Sequence, residues 1–133
     1  MSRAAIRRLG CALLAGVALV SCGGDGNQNS NAGDLLLSLY AGGPEAGAVL
    51  LVITGGPVQN ATALGGQQVS FASPFSGNTR VVISGDLATG DVLRIRVPDV
   101  SRIADYHVQT LQAADKVTFA LLDQGAYTFT VHR

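Results

Sequence analysis

From Asp34 to Val131 the chain repeats mostly with a period of two. Leu35, Leu37 and Leu39 alternate with Leu36, Ser38 and Tyr40, which predicts a first strand apolar on both faces. Gly42-Gly43-Pro44 breaks it. Ala48 to Ile53 is an unbroken apolar run rich in Val and Ile, the pattern of a central buried strand, and Gly55-Gly56-Pro57 ends it. Val58 to Leu64 fits either a short strand or a loop. Gln68 to Ala72 alternates through Val69 and Phe71, and Pro74 to Asn78 is turn-rich.

Thr79 to Ser84 places Val81 and Ile83 on one face. Asp91 to Val97 does the same with Leu93, Ile95 and Val97, and Pro98 closes it. Ser101 to Asp105 reads as one helical turn capped by Ser101. Tyr106 to Ala113 and a weaker Val117 to Leu121 follow, and Tyr127, Phe129 and Val131 mark a last strand. Seven or eight short strands over about 100 residues predict an all-β fold, an antiparallel β-sandwich of Ig-like or jelly-roll-like form. No helical periodicity interrupts residues 34–133.

A hairpin is expected between Thr79–Ser84 and Asp91–Val97 across the Gly85–Gly90 loop. With the apolar residues turned inward, Arg80, Arg94 and Arg96 share the opposite face. That strip is the candidate anion- or partner-binding site. The plain alternative is a solvated surface whose like charges are relieved by water, salt or a nearby Asp.

The N-terminus follows a different rule. Arg3, Arg7 and Arg8 precede an apolar stretch from Leu9 to Val20, about 12 residues, too short to span a membrane at about 20. Leu19-Val20-Ser21-Cys22 closes it and resembles the lipobox of bacterial lipoproteins. The resemblance implies an export signal over residues 1–21, acylation of Cys22 with palmitate-type chains, and a membrane-held domain. Cys11 follows Arg8-Leu9-Gly10, which lacks both the Leu and the apolar run upstream. The alternative is an ordinary secretory signal cut near Ser21. Gly23 stands where enteric members carry Asp for inner-membrane retention, so the outer membrane of the cell envelope is expected.

Residues 22–33 then read as the lipidated Cys and a tether of Gly, Asn, Ser and Gln, with a root-mean-square reach of roughly 18 Å. Its Asp25-x-Asn27-x-Asn29 spacing is not a calcium loop, because Ser30 and Leu36 occupy the Gly and Glu positions. The sandwich occupies 34–133. Beyond the signal, six basic residues face nine acidic ones, so a nucleic-acid partner is not expected. Beyond Cys22 there is no cysteine for a disulfide.

Catalytic signals are sparse. His107 and His132 are the two histidines, and no Ser lies in a Gly-x-Ser-x-Gly elbow. His132 is penultimate, and His107 sits on a strand as a surface residue. Asp86 and Asp91 read as turn formers beside Gly85 and Gly90. No Cys/His cluster suggests zinc, and neither metal nor cofactor is expected. There is no Trp to form a sugar platform. Phe71, Phe119 and Phe129 are assigned to the core, while Tyr40 and Tyr106 are candidates for exposure. Asn60-Ala61-Thr62 is a chance sequon in a bacterial setting.

The middle of the domain, Arg80 to Gly85 with Gly90 to Val97 and the preceding Val49–Val58, resembles cohesin-type and related carbohydrate-binding sandwiches. The expected function is a monomeric, non-catalytic binding or structural module on the envelope. The second reading is a cohesin-like or carbohydrate-binding module that recognises an envelope protein or anionic glycan. The third is a hydrolase with an unrecognised acid pair.

Overall fold

The computed structural model describes residues 31–75 and 77–133; the expected signal segment 1–21, Cys22 and the expected tether as far as residue 30 lie outside them. The described residues form strands β1 (Gly33–Ala41), β2 (Ala46–Thr54), β3 (Asn60–Ala63), β4 (Gln68–Phe75) and β5 (Asn78–Leu87). They continue with β6 (Gly90–Val97), β7 (His107–Asp115), β8 (Leu121–Leu122) and β9 (Tyr127–His132). Short 3-10 turns precede β7 and β9. The strands make two antiparallel sheets, β3-β6-β1-β9 and β4-β5-β2-β7-β8, and the expected all-β sandwich is the observed fold.

Alternation builds the core. Leu35, Leu37 and Leu39 of β1 and Leu93, Ile95 and Val97 of β6 bury fully from one sheet, against Val49, Leu51 and Ile53 of β2 and Val81 and Ile83 of β5 from the other. Burying each such side chain contributes about 1.5–3 kcal/mol. Several register shifts interrupt the ladders, and two of them lie within the core-forming stretches of β6 and β7. Val92 is the extra residue in β6, between the pairs Leu37–Leu93 and Ser38–Asp91. Leu111 is the extra one in β7, between Leu50–Gln112 and Leu51–Thr110.

Three buried hydrogen-bonding groups fasten the layers. Thr110 Oγ1 of β7 donates to the Tyr127 carbonyl of β9 at 2.6 Å, across the two sheets. The hydroxyl of Tyr127 donates to the Pro44 carbonyl at one end of the sandwich. The hydroxyl of Tyr106 donates to the Pro57 carbonyl at the other end, at 2.8 Å. Burial with a satisfied hydroxyl suits tyrosine, and it corrects the expectation that Tyr106 is exposed.

Other expectations are corrected by pairing. The Thr79–Ser84/Asp91–Val97 hairpin does not form. β5 already has β4 on one edge and β2 on the other, and β6 has β1 and β3. The chain instead crosses between sheets through Ala88 and Thr89. Val58–Leu64 contributes the short strand β3, and Val117–Leu121 is chiefly the loop before the two-residue β8. The cap of the turn before β7 is Asp99, whose carboxylate accepts from the Ser101 amide. Asn31 already belongs to the folded unit, its carbonyl accepting from the Val100 amide, so the fold begins before Asp34.

Leu36 and Leu37 test the inward and outward faces directly. Leu37→Ala should cost about 2–5 kcal/mol and Leu36→Ala less than about 1 kcal/mol, read from urea unfolding by circular dichroism. Equal losses would refute the assignment of faces.

Candidate functional site

The outer surface of the four-stranded sheet is polar because the alternation that buries Leu35, Leu93 and Ile95 turns Asp34, Arg94 and Arg96 outward. Register places Asn60 beside Arg96 and Arg96 beside Asp34; the next row runs Thr62, Arg94, Leu36. These residues line one shallow depression, with Asp34, Asn60, Thr62, Arg94 and Arg96 around it. Asp34 Oδ1 lies 3.5 Å from Arg96 Nη1, and its Oδ2 lies 3.9 Å from Arg94 Nε. All three side chains are about half exposed. One carboxylate between two guanidiniums leaves an excess positive charge, with an amide and a hydroxyl alongside.

Arg94 and Arg96 are therefore brought together as expected, and Arg80 is not. Arg80 pairs with Val52 and Ala72 on the outer face of the opposite sheet. The three-arginine strip depended on the hairpin, and the crossing at Ala88–Thr89 divides it between the two outsides of the sandwich. Among the described residues, no carboxylate stands within ion-pair distance of Arg80.

The same polar face holds a pair that sequence reasoning missed. His132 Nε2 lies 2.8 Å from Asp91 Oδ1, and its Nδ1 lies 2.9 Å from the Arg133 carbonyl. Both ring nitrogens face acceptors, and only the imidazolium can donate from both. The hydrogen bond to Asp91, then the carbonyl contact, raises the His132 pKa above its ordinary value. The hydrogen bond from His132 lowers the Asp91 pKa, opposed by partial desolvation and helped by Ser38. The Val92 bulge aims Asp91 outward. By strict alternation from Leu93, Asp91 would share the buried face, and the sequence carries no signal for the extra residue.

Several other ionisable groups serve the fold. Asp99 accepts from the Ser101 amide and hydroxyl, which lower its pKa. Asp115 accepts from the amides of Val117 and Thr118, with the same effect. Asp123 accepts from the Gly125 amide, Arg102 pairs with Asp105, and Lys116 lies between Glu45 and Asp86. A cleft at the end near Pro57 and Pro98 is lined by Asp99, Arg102 and Tyr106. Asp99 accepts there from the Ser101 amide, Tyr106 donates to the Pro57 carbonyl, and Arg102 uses its Nε on Asp105. Gly55 bounds it with φ of 104°, where an added Cβ would stand 1.7 Å from the Asp105 carbonyl oxygen. Among the described residues no group of three or more His, Cys, Asp or Glu is arranged to hold a metal ion.

The aromatic residues depart most from expectation. Phe119 is 80% exposed, and Phe71 lies partly open at a sheet edge; both were assigned to the core. Phe129 packs against the core at its margin.

The His132–Asp91 pair has a defined pH window. His132, with its pKa raised, contributes fully below its ordinary 6.5 and loses that contribution as pH rises through its folded value. Asp91, with its pKa lowered, contributes above its ordinary 3.8 and loses it as pH falls through its folded value. Titration of the His132 ring followed by NMR should have its midpoint above 6.5, and Asp91→Asn should lower it. A midpoint unmoved by that substitution would dismiss the pairing.

Comparison with protein-family models, curated proteins and solved structures gave no match, so a function for this chain rests on its own residues and geometry.

Proposed function

We propose that this chain is a non-catalytic binding module of a bacterial envelope, anchored through acylated Cys22, whose four-stranded face takes the carboxylates of an acidic envelope glycan. The observation that carries the reading is the placement of Arg94 and Arg96 around a single Asp34, beside Asn60 and Thr62, on an open sheet surface. Exposed ion pairs contribute only about 0–1 kcal/mol. The contacts of 3.5 and 3.9 Å leave most guanidinium donors available to a ligand. A carboxylate on a glycan offers the planar pair of acceptors that arginine matches. The amide of Asn60 and the hydroxyl of Thr62 suit sugar hydroxyls in the same depression.

The anchor reading rests on the Leu19–Cys22 motif after a short apolar run, and on polar residues directly after it. Several acyl chains would hold the domain firmly, where a single chain binds only marginally.

Two experiments test the two halves. In gel retardation at low salt, polygalacturonate should slow the wild-type protein, and added salt should weaken the effect. Arg94→Gln with Arg96→Gln should remove the retardation, while Arg80→Gln should leave most of it. Equal loss from Arg80→Gln, or no retardation of the wild type, would sink the glycan reading. For the anchor, a clickable fatty acid should label the wild type and Cys11→Ser but not Cys22→Ser. Label persisting in Cys22→Ser would end the lipoprotein reading.

A further inference from the structure

The outer face of the five-stranded sheet carries an apolar patch among polar neighbours such as Ser70, Ser84, Gln109 and Gln112. Register sets Leu50 of β2 between Val82 of β5 and Gln112 of β7, and Ala48 between Ser84 and Ala114, with Leu121 of β8 next to Ala114. Val82 is 44% exposed and Leu121 71%. Leu50, Val82, Leu121 and Ala48 line one shallow, largely apolar depression. Among the strand residues paired across this face, Arg80 carries the one fixed charge.

The loop before β8 extends the same character. Val117 and Phe119 are 78% and 80% exposed. The loop is fixed by Asp115, which accepts from the Val117 and Thr118 amides, and whose carbonyl accepts from the Phe119 amide. Phe119 takes a φ of 61°, a left-handed conformation that bulky residues rarely adopt. An apolar surface of this kind, joined to exposed aromatic and aliphatic side chains, marks an interaction surface.

The chain itself supplies the occupant. The nine residue steps from Asn31 back to Cys22 span at most about 32 Å. If Cys22 is in a bilayer, the point where the fold begins cannot stand farther than that from it. The opposed sheets lie about 10 Å apart, so the chain can let the domain lie on its five-stranded face. The face fits such a surface: apolar side chains for the acyl boundary, and one cation, Arg80, for anionic headgroups. We infer that the β4-β5-β2-β7-β8 face rests on the lipid bilayer, with Leu50, Val82, Leu121 and the Val117–Phe119 loop against it. The arginine depression on the opposite outside is then presented away from the membrane. This inference rests on the anchor reading, and its test separates the two.

The full chain, recovered from bacterial membranes, is reconstituted in vesicles of phosphatidylethanolamine and phosphatidylglycerol. Leu121→Cys and Thr62→Cys versions carry a bimane fluorophore, and a nitroxide lipid serves as the quencher. Mass measurement of the N-terminal fragment reports whether Cys22 is acylated. Quenching at position 121 should exceed that at position 62 several-fold, and Phe119→Asp with Val82→Asp should remove the difference. Equal quenching in an acylated protein would overturn the inference and leave the anchor intact. Stronger quenching at 121 without acylation would uphold the lipid face and overturn the anchor. Equal quenching accompanied by a dimer in sedimentation would assign the face to a second copy instead, and so reject the membrane.

Discussion

The architecture depends on one constraint: β5 has no free edge. β4 and β2 occupy its two sides, so the strand that follows cannot pair with it, and it joins the other sheet. The chain makes that transfer in two residues, Ala88 and Thr89, between a buried Leu87 and a Gly90 with φ of 136°. The Thr89 hydroxyl accepts from the Ala41 amide, which ties the crossing to the end of β1. Because the crossing is so short, β5 and β6 contribute to opposite walls of one core. Val81 and Ile83 then enter it from one side, and Leu93, Ile95 and Val97 from the other. The same step separates Arg80 from Arg94 and Arg96.

From this follows the division of the surface into two unlike faces. The four-stranded sheet presents Asp34, Arg94, Arg96, His132 and Asp91, engaged through exposed pairs that contribute little to stability. The five-stranded sheet presents an apolar patch of Leu50, Val82 and Leu121, bordered by Gln109, Gln112 and Arg80. Both sheets are amphipathic, but the second has apolar residues on its outside as well, a state that solvent does not favour. A sandwich with a charged patch on one outside and an apolar patch on the other suits a protein that must address two surroundings at once. The proposed glycan site and the proposed bilayer face are consistent with each other for that reason, since they lie on opposite outsides.

Most of the ionic and turn chemistry maintains this arrangement. Asp99, Asp115 and Asp123 each cap a turn through backbone amides, and Tyr106 and Tyr127 close the two ends by donating to proline carbonyls. With no cysteine beyond Cys22, cohesion depends on packed apolar residues and these satisfied polar groups. Arg94, Arg96 and the half-exposed polar groups around them stand apart, because their contacts are long and open to water.

The sequence by itself determined what is local. Period-two alternation made Leu35, Leu37, Leu39, Val81, Ile83, Leu93, Ile95 and Val97 inward-facing, and all are buried, because side chains on a strand must point to alternate sides. It made Arg94 and Arg96 neighbours on one face for the same reason. Only the tertiary structure decided which strands pair, since an edge is free or occupied according to residues far away in the chain. That is how an expected hairpin became a crossing and one arginine strip became two separate surfaces. The Val92 bulge is not legible along β6 alone, because it is an extra residue relative to Leu37 and Ser38 of another strand, and it turns Asp91 toward His132. Hydrophobicity favours the inside for Phe119, yet its side chain is left in solvent by a loop held through Asp115. Hydrophobicity sets which residues favour burial, but the packed partner that provides it is fixed only when the sheets close.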